Sequence, residues 1–387
     1  MNPRLALLQT YPFDKLRALL AAVTPNPALR PIDMSIGEPK HPTPALVKDA
    51  LTGALDGLAV YPRSPGLPEL RQAIAAWARR RYSLSALDPE TQVLPVNGSR
   101  EALFAFAQAL IDPSMNAKVV CPNPFYQIYE GAALLAGAAP VFLNHGMRFD
   151  QIEWQGVQLV YTCSPGNPTG RVMPIEEWQQ LFALSDRHGF TIASDECYAE
   201  IYFEEGSAPL GALDAAQRLG RGDFARLVVF SSLSKRSNSP GMRSGFVAGD
   251  AALLKQFLLY RTYHGSAMSI AVQRASIAAW NDEAHVRENR RLYAKKFEAT
   301  LALIEKPLKT ARPDGGFYLW LEAPIDDAEF ARALHRDYNV LVLPGSFLAR
   351  EAHGENPGKN HVRIALVAPI GECVEALGRM LQFAKTL

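Results

Sequence analysis

Between about Val93 and Asp250 the chain alternates short apolar runs with longer stretches in which apolar positions recur every three or four residues. Seven runs read as strands: "QVLPV", "AKVVCP", "APVFL", "VQLVYTC", "FTIASDE", "RLVVFSS" and "SGFVAGD". Helical spacing separates most of them, as in "SREALFAFAQALI" and "PIEEWQQLFALSDRHG". Strands rich in β-branched residues, alternating with helices, predict βαβ units. The expected architecture is α/β: a mostly parallel seven-stranded sheet with helices on both faces.

A helical stretch follows over roughly Ala251 to Ile304, and then the pattern changes to "GGFYLWLE", "VLVLPGSF" and "HVRIALV" with helices between. This predicts a smaller α+β domain to which the N-terminal segment returns. Residues 46–282 are expected to form the large domain, and residues 1–45 together with 283–387 the small one. In open α/β sheets ligands bind beyond the carboxyl ends of the strands, and the polar motifs of this chain cluster at such ends.

Composition narrows the partners. Forty Lys and Arg against 39 Asp and Glu give a net charge of +1 over 387 residues, with no basic stripe to hold nucleic acid or an anionic membrane. No apolar run is long enough to span a bilayer. Cys121, Cys163, Cys197 and Cys373 are scattered without a C-x-x-C pair, and the eight histidines show no H-x-x-x-H spacing. A reduced, cytoplasmic protein without a metal site is expected, with small molecules or a second subunit as partners.

Lys235 lies just past the strand "RLVVFSS", flanked by Ser232 and Ser234 and followed by Arg243. Such a lysine is commonly a solvated surface residue, but small hydroxyls and a forked guanidinium also make a phosphate cradle. An amine beside a bound phosphate is placed to react with the aldehyde of a phosphorylated cofactor. Asp195 ends the strand in "TIASDECYAEIYF", suited either to capping a helix or to facing a ring nitrogen, with Tyr198 three residues on. Asn167 sits in the turn-forming "SPGNPTG", where its amide can donate to a phenolic oxygen. Ser99 and Arg100 open a helix after "VNG", and a helix N-terminus offers unpaired N–H groups to an anion. Tyr126 in "NPFYQIYE" is either a core aromatic or a ring that stacks on a planar ligand. Tyr61 precedes a helix in "VYPRSPGLPEL". Arg363 interrupts the apolar "HVRIAL" and needs a carboxylate, from the protein or from a ligand.

In order and spacing, "SIGEP", "YPRSPGLPELR", "NGSREAL", "SPGNPTG", "SDECY", "SLSKRSNSPGMRSG" and "VRIAL" resemble the class I/II aminotransferases, pyridoxal 5′-phosphate enzymes of fold type I. The resemblance runs over nearly the whole chain. It implies that Lys235 carries the cofactor and moves protons, with Asp195 at the ring nitrogen and Asn167 and Tyr198 at the ring's O3′. Ser232, Ser234, Arg243 and the backbone of Ser99 and Arg100 would hold the phosphate, and Tyr126 would stack on the ring. Where some relatives have tryptophan at that position, this chain has tyrosine. Tyr61 would reach the cofactor of a neighbouring subunit, which implies a homodimer with shared active sites. Arg363, with the backbone near Gly37 and with Asn167, would take the substrate α-carboxylate.

"SLSKRSNSPGMRSGFVAGD" and "YPFDKLRALL" are similar to the bacterial N-succinyl-diaminopimelate aminotransferases of lysine biosynthesis. Those use glutamate/2-oxoglutarate and N-succinyl-LL-2,6-diaminopimelate. The distal carboxylates of such a substrate need further donors, for which Arg30, Lys40, Arg100 and Arg236 are candidates. Transamination of another amino acid, C–S elimination and a non-catalytic cofactor-binding regulator are the alternatives.

Overall fold

A computed structural model describes residues 1–265 and 267–387. Its central sheet has seven strands in the order Val93–Val96, Gly245–Gly249, Leu227–Ser232, Thr191–Asp195, Val157–Cys163, Lys118–Asn123 and Ala139–Asn144. Gly245–Gly249 runs against both of its neighbours, and every other pairing is parallel. Each of the seven expected strands is present.

Successive residues of a strand face opposite sides, so a sheet covered on both faces must be apolar at every position. The middles of the central strands are apolar on both sides, and polar residues such as Asp195 and Ser232 stand at their ends. Val160, Ile192 and Val229 pack into one cluster with Trp77, Trp178, Phe182 and Trp280. Leu159, Ala193, Val228 and Phe230 face the other cluster, with Phe106, Tyr129 and Phe257. Helices Pro68–Arg81, Ile175–His188 and Ile270–Asn281 supply the first face, and Ser99–Leu110, Ile128–Ala136 and Ala251–His264 the second.

The stretch from 251 onward resolves into three helices, Ala251–His264, Ile270–Asn281 and Ala284–Leu301. Asp250 caps the first through the amides of Ala252 and Leu253, and Gly265, at φ 86°, closes it.

In the C-terminal part, Leu343–Pro344, His361–Ala365 and Tyr318–Glu322 form an antiparallel sheet in that order. Its core contains Phe297, Leu319, Phe330, Ile364 and Met380, together with Ile32 and Met34 from the N-terminal segment. Ile32–Asp33 pairs in parallel with Val340–Leu341, which carries residues 35–37 across the carboxyl ends of the large sheet.

Candidate active site

The strands ending at Val96, Cys163, Asp195 and Ser232 and the one beginning at Gly245 all present those ends to one side of the sheet. There a cavity of about 370 Å³ opens. Ser99, Arg100, Tyr126, Asn167, Asp195, Tyr198, Ser232, Ser234, Lys235, Arg243, Gly37 and Arg363 all line it. The structure therefore brings together the expected cofactor and α-carboxylate residues except Tyr61, which is 99% exposed and outside this cavity.

Lys235 lies in the short helix Leu233–Arg236, and its Nζ donates to the Gly37 carbonyl. The amine stands 5.2 Å from the centre of the Phe317 ring. Burial lowers it to about 8, and the positive charge of Arg363 acts in the same direction. A substantial fraction of such an amine is neutral near physiological pH, as a proton acceptor requires.

Asp195 is 4% exposed. Its Oδ2 accepts from the Tyr129 hydroxyl at 2.7 Å and its Oδ1 from the Cys197 amide at 3.2 Å. Burial raises its pKa against the pull of these donors. Among the described residues no cation pairs with it.

Arg363 is 4% exposed and likewise has no carboxylate partner among the described residues. Its Nη1 donates to Asn167 Oδ1 at 3.0 Å and its Nη2 to the Ser35 carbonyl at 2.9 Å, over the Tyr318 ring at 4.4 Å. Its Nε is buried without a hydrogen-bond partner among the described residues. Tyr198 and Tyr318 share a hydroxyl contact of 3.0 Å.

At the other end of the cavity, Arg243 lies against Gly98. A Cβ on Gly98 would sit 2.4 Å from Arg243 Nη2, and its φ of 83° also favours glycine. The guanidinium thus packs on the residue that precedes helix Ser99–Leu110, and Ser99, Ser232 and Ser234 line the same cavity. Cys197 joins this group, its Sγ donating to Ser99 Oγ at 2.9 Å. Gly37 is tight for a different reason: a Cβ there would lie 1.9 Å from the Tyr318 hydroxyl.

Of the four proposed distal donors, only Arg100 lines the cavity, its guanidinium 5.6 Å from the Tyr11 ring. Arg236 points away. It is 1% exposed, packed against Trp77 and Trp280 and paired with Glu283 at 2.6 Å. Arg30 binds Glu372 and Glu375 on the surface, and Lys40 is exposed outside the cavity wall. Neighbouring positions on a helix diverge by about 100°, so adjacency to Lys235 did not carry Arg236 inward. Reading the sequence missed Tyr129, Cys197, Phe13 and Tyr318. Tyr126 precedes helix Ile128–Ala136 and Tyr129 lies in its first turn, the two rings meeting edge to face at 5.8 Å, a contact that no helical spacing in the sequence announces.

The fold and this constellation define a pyridoxal-phosphate-dependent transferase of fold type I. Residues 30–379 match the family Aminotransferase class I and II, and the chain belongs to that family. Enzymes of this family use pyridoxal 5′-phosphate to move amino groups between amino and 2-oxo acids.

Among curated relatives, a 4-dedimethylamino-4-oxo-anhydrotetracycline transaminase of Streptomyces rimosus is 33% identical, covering 90% of this chain and 92% of its own. An LL-diaminopimelate aminotransferase of Nitratidesulfovibrio vulgaris is 30% identical, covering 97% of each. The crystal structure of an aminotransferase from Neisseria meningitidis superposes with a TM-score of 0.96 at 51% identity, covering 99% of this chain and 100% of that one. A probable N-succinyldiaminopimelate aminotransferase from Thermus thermophilus does so at 0.84 and 26%, covering 97% and 99%. Among the described residues no helix is long and apolar enough to cross a membrane, and no cluster of His, Cys, Asp and Glu forms a metal site.

Proposed function

We propose that this aminotransferase exchanges amino groups between glutamate/2-oxoglutarate and N-succinyl-LL-2,6-diaminopimelate, in lysine biosynthesis. The observation that carries the chemistry is three buried charges of one cavity, Lys235, Asp195 and Arg363, none with an oppositely charged protein partner among the described residues. Burying unpaired charge is costly, so such groups are matched to charges that a ligand brings.

The cavity fits the cofactor. Arg243, the hydroxyls of Ser99, Ser232 and Ser234, and the helix start at Ser99 and Arg100 would hold its phosphate. Asp195 would hold the proton on the ring nitrogen. Asn167, whose Oδ1 is taken by Arg363, keeps its amide protons for O3′, together with the Tyr198 hydroxyl. Tyr126 would cover the ring face. The bound cofactor supplies an aldehyde that accepts the amino group and a ring that withdraws electrons. Arg363, braced by Asn167 and Ser35, orients the substrate through its α-carboxylate, with the backbone at Gly37 alongside. The Lys235 amine takes the proton from the substrate Cα and returns it. Phe13, Tyr126 and Tyr318 around it keep the site poor in water.

The diaminopimelate reading is supported by the substrates named for two similar proteins. Free LL-diaminopimelate is the second reading, favoured by the relative that matches over 97% of both chains. Exposed Leu58, Val60 and Tyr61 support a homodimer in which Tyr61 reaches the partner's phosphate site. A cytoplasmic location and the division into residues 46–282 against 1–45 with 283–387 belong to the same reading. The pairing of Ile32–Asp33 with Val340–Leu341 supports that division.

The test follows glutamate formation from 2-oxoglutarate with a panel of amino donors. N-succinyl-LL-diaminopimelate should show the highest kcat/KM. A preference for free LL-diaminopimelate selects the second reading, and preference for an aromatic or aliphatic donor rejects both.

A further inference from the structure

Lys235 is held at both ends by the same stretch of the N-terminal segment. Its amine is tied to the Gly37 carbonyl. Its main chain is tied, one residue removed, to His41. The link is Asn289, 2% exposed on helix Ala284–Leu301. Its Nδ2 donates to the Lys235 carbonyl at 3.1 Å and, more weakly, to that of Arg236 at 3.5 Å. Two carbonyls on that side fix the amide's orientation, so Oδ1 faces the other way. There it accepts from Asn238 Nδ2 at 3.0 Å and from His41 Nδ1 at 2.8 Å, which places a proton on Nδ1.

The His41 ring lies 4.6 Å from that of Tyr293, which stacks on Phe317, the ring beneath the Lys235 amine. One buried amide therefore joins the lysine turn, the small-domain helix and the segment that carries Gly37.

We propose that Asn289, with His41 behind it, is a positioning residue that fixes the Lys235 main chain while the amine works. This rests on the reading of Lys235 as the cofactor-bearing lysine. The amine must leave Gly37 to meet the cofactor and then swing to reach the substrate proton. A side chain that moves over such distances needs a backbone that does not, because displacements near 1 Å cost roughly a hundredfold in rate. Asn289 supplies the donor that the two carbonyls at the end of the Leu233–Arg236 turn would otherwise lack. His41 holds that donor in register with the segment carrying Gly37.

The experiment compares the cofactor-loaded wild type with Asn289→Ala, His41→Ala, His41→Gln and Thr43→Val. It records the pH titration of the visible band of lysine-bound cofactor, the cofactor Kd, and kcat and KM for glutamate. Asn289→Ala should move the titration midpoint by about half a unit or more. It should also lower kcat roughly ten- to a hundredfold with KM near wild type. His41→Ala should shift both the same way by less, and His41→Gln, which keeps a donor, should restore them. Thr43→Val removes a bond to the Asn238 carbonyl but none to Asn289, and should change neither. If Asn289→Ala does not fold, the two His41 variants carry the test.

An unchanged midpoint and kcat in folded Asn289→Ala, or equal shifts in Thr43→Val, would overturn the proposal. A wild type that binds cofactor without a lysine-bound band would instead overturn the underlying assignment of Lys235.

Discussion

Asp195 and Glu196 are neighbours in the chain and both are buried, yet their surroundings differ in kind. Glu196 is closed in by fixed donors: the Tyr82 hydroxyl at 2.6 Å, the Ala212 amide at 2.6 Å and the Ser194 hydroxyl at 3.1 Å. Burial raises its pKa as it does that of Asp195, but here these donors and the nearby Arg81 guanidinium pull against it. Around it, Arg81 pairs with Glu200, and Arg290 with Glu205, at 2.6 and 2.7 Å. Among the described residues Asp195 has two donors and no cation, and its open side faces the cavity. Satisfied buried charge locks a fold together, whereas buried charge left incomplete marks the place where something else arrives. Arg236 and Arg363 repeat the contrast, one paired with Glu283 and the other without a carboxylate among the described residues.

Breaking the open cluster should destroy activity and spare the fold, and breaking the closed one should do the reverse. Lys235→Ala should lower transamination by about a thousandfold or more and abolish the visible band of lysine-bound cofactor, with circular dichroism unchanged. Turnover close to wild type would remove Lys235 from the chemistry. Asp195→Asn should lower kcat by about a hundredfold. Glu196→Gln should leave kcat near wild type while costing about 1–3 kcal/mol in denaturant titration. If the two effects were exchanged, the contrast between these neighbours would be wrong.

Arg363→Lys replaces a fork by a point charge and should raise KM for α-carboxylate substrates by about tenfold. Arg236→Lys should lower Tm and leave KM alone.

The last prediction concerns pH. In cofactor-free protein the Lys235 amine lies near 8 rather than 10.5. Between those values the unfolded chain holds a proton that the folded one does not, so stability rises with pH across this window. The cost of the buried charge is fully present below it. Lys235→Met should flatten that rise by about 3 kcal/mol between about pH 8 and 10.5. The remaining slope would belong to groups such as Lys296, also lowered to about 8. An identical slope in the variant would show that Lys235 is not desolvated.

Local signals carried much of this architecture. Period-two and period-3.6 patterns name one element at a time, and all seven strands of the large sheet were legible in that way. So were the residues at strand ends, because chain order places them beside the elements they follow. What local pattern does not encode is which distant atom arrives from another element. The Ser35 carbonyl at Arg363, the Tyr129 hydroxyl at Asp195 and the Tyr318 hydroxyl at Tyr198 come from segments 328, 66 and 120 residues away. The same limit misplaced Arg236, whose neighbour faces the cavity while it faces the tryptophans. Tyr61 is 99% exposed and outside the cavity, and its role rests on the proposed homodimer alone.

The reversed strand Gly245–Gly249 has a consequence for how this protein can change. Because it runs back beside Leu227–Ser232, with Ser232 opposite Gly245, the twelve residues between them leave and re-enter the sheet at the same rim. Lys235 and Arg243 are therefore two points on one handle. An insertion between them would change the spacing of amine and guanidinium, which makes the length of this loop as constrained as its chemistry. Had the strand run forward, its crossover would have returned the chain to the opposite edge, and Arg243 would have begun its strand about one sheet-width from the amine it accompanies.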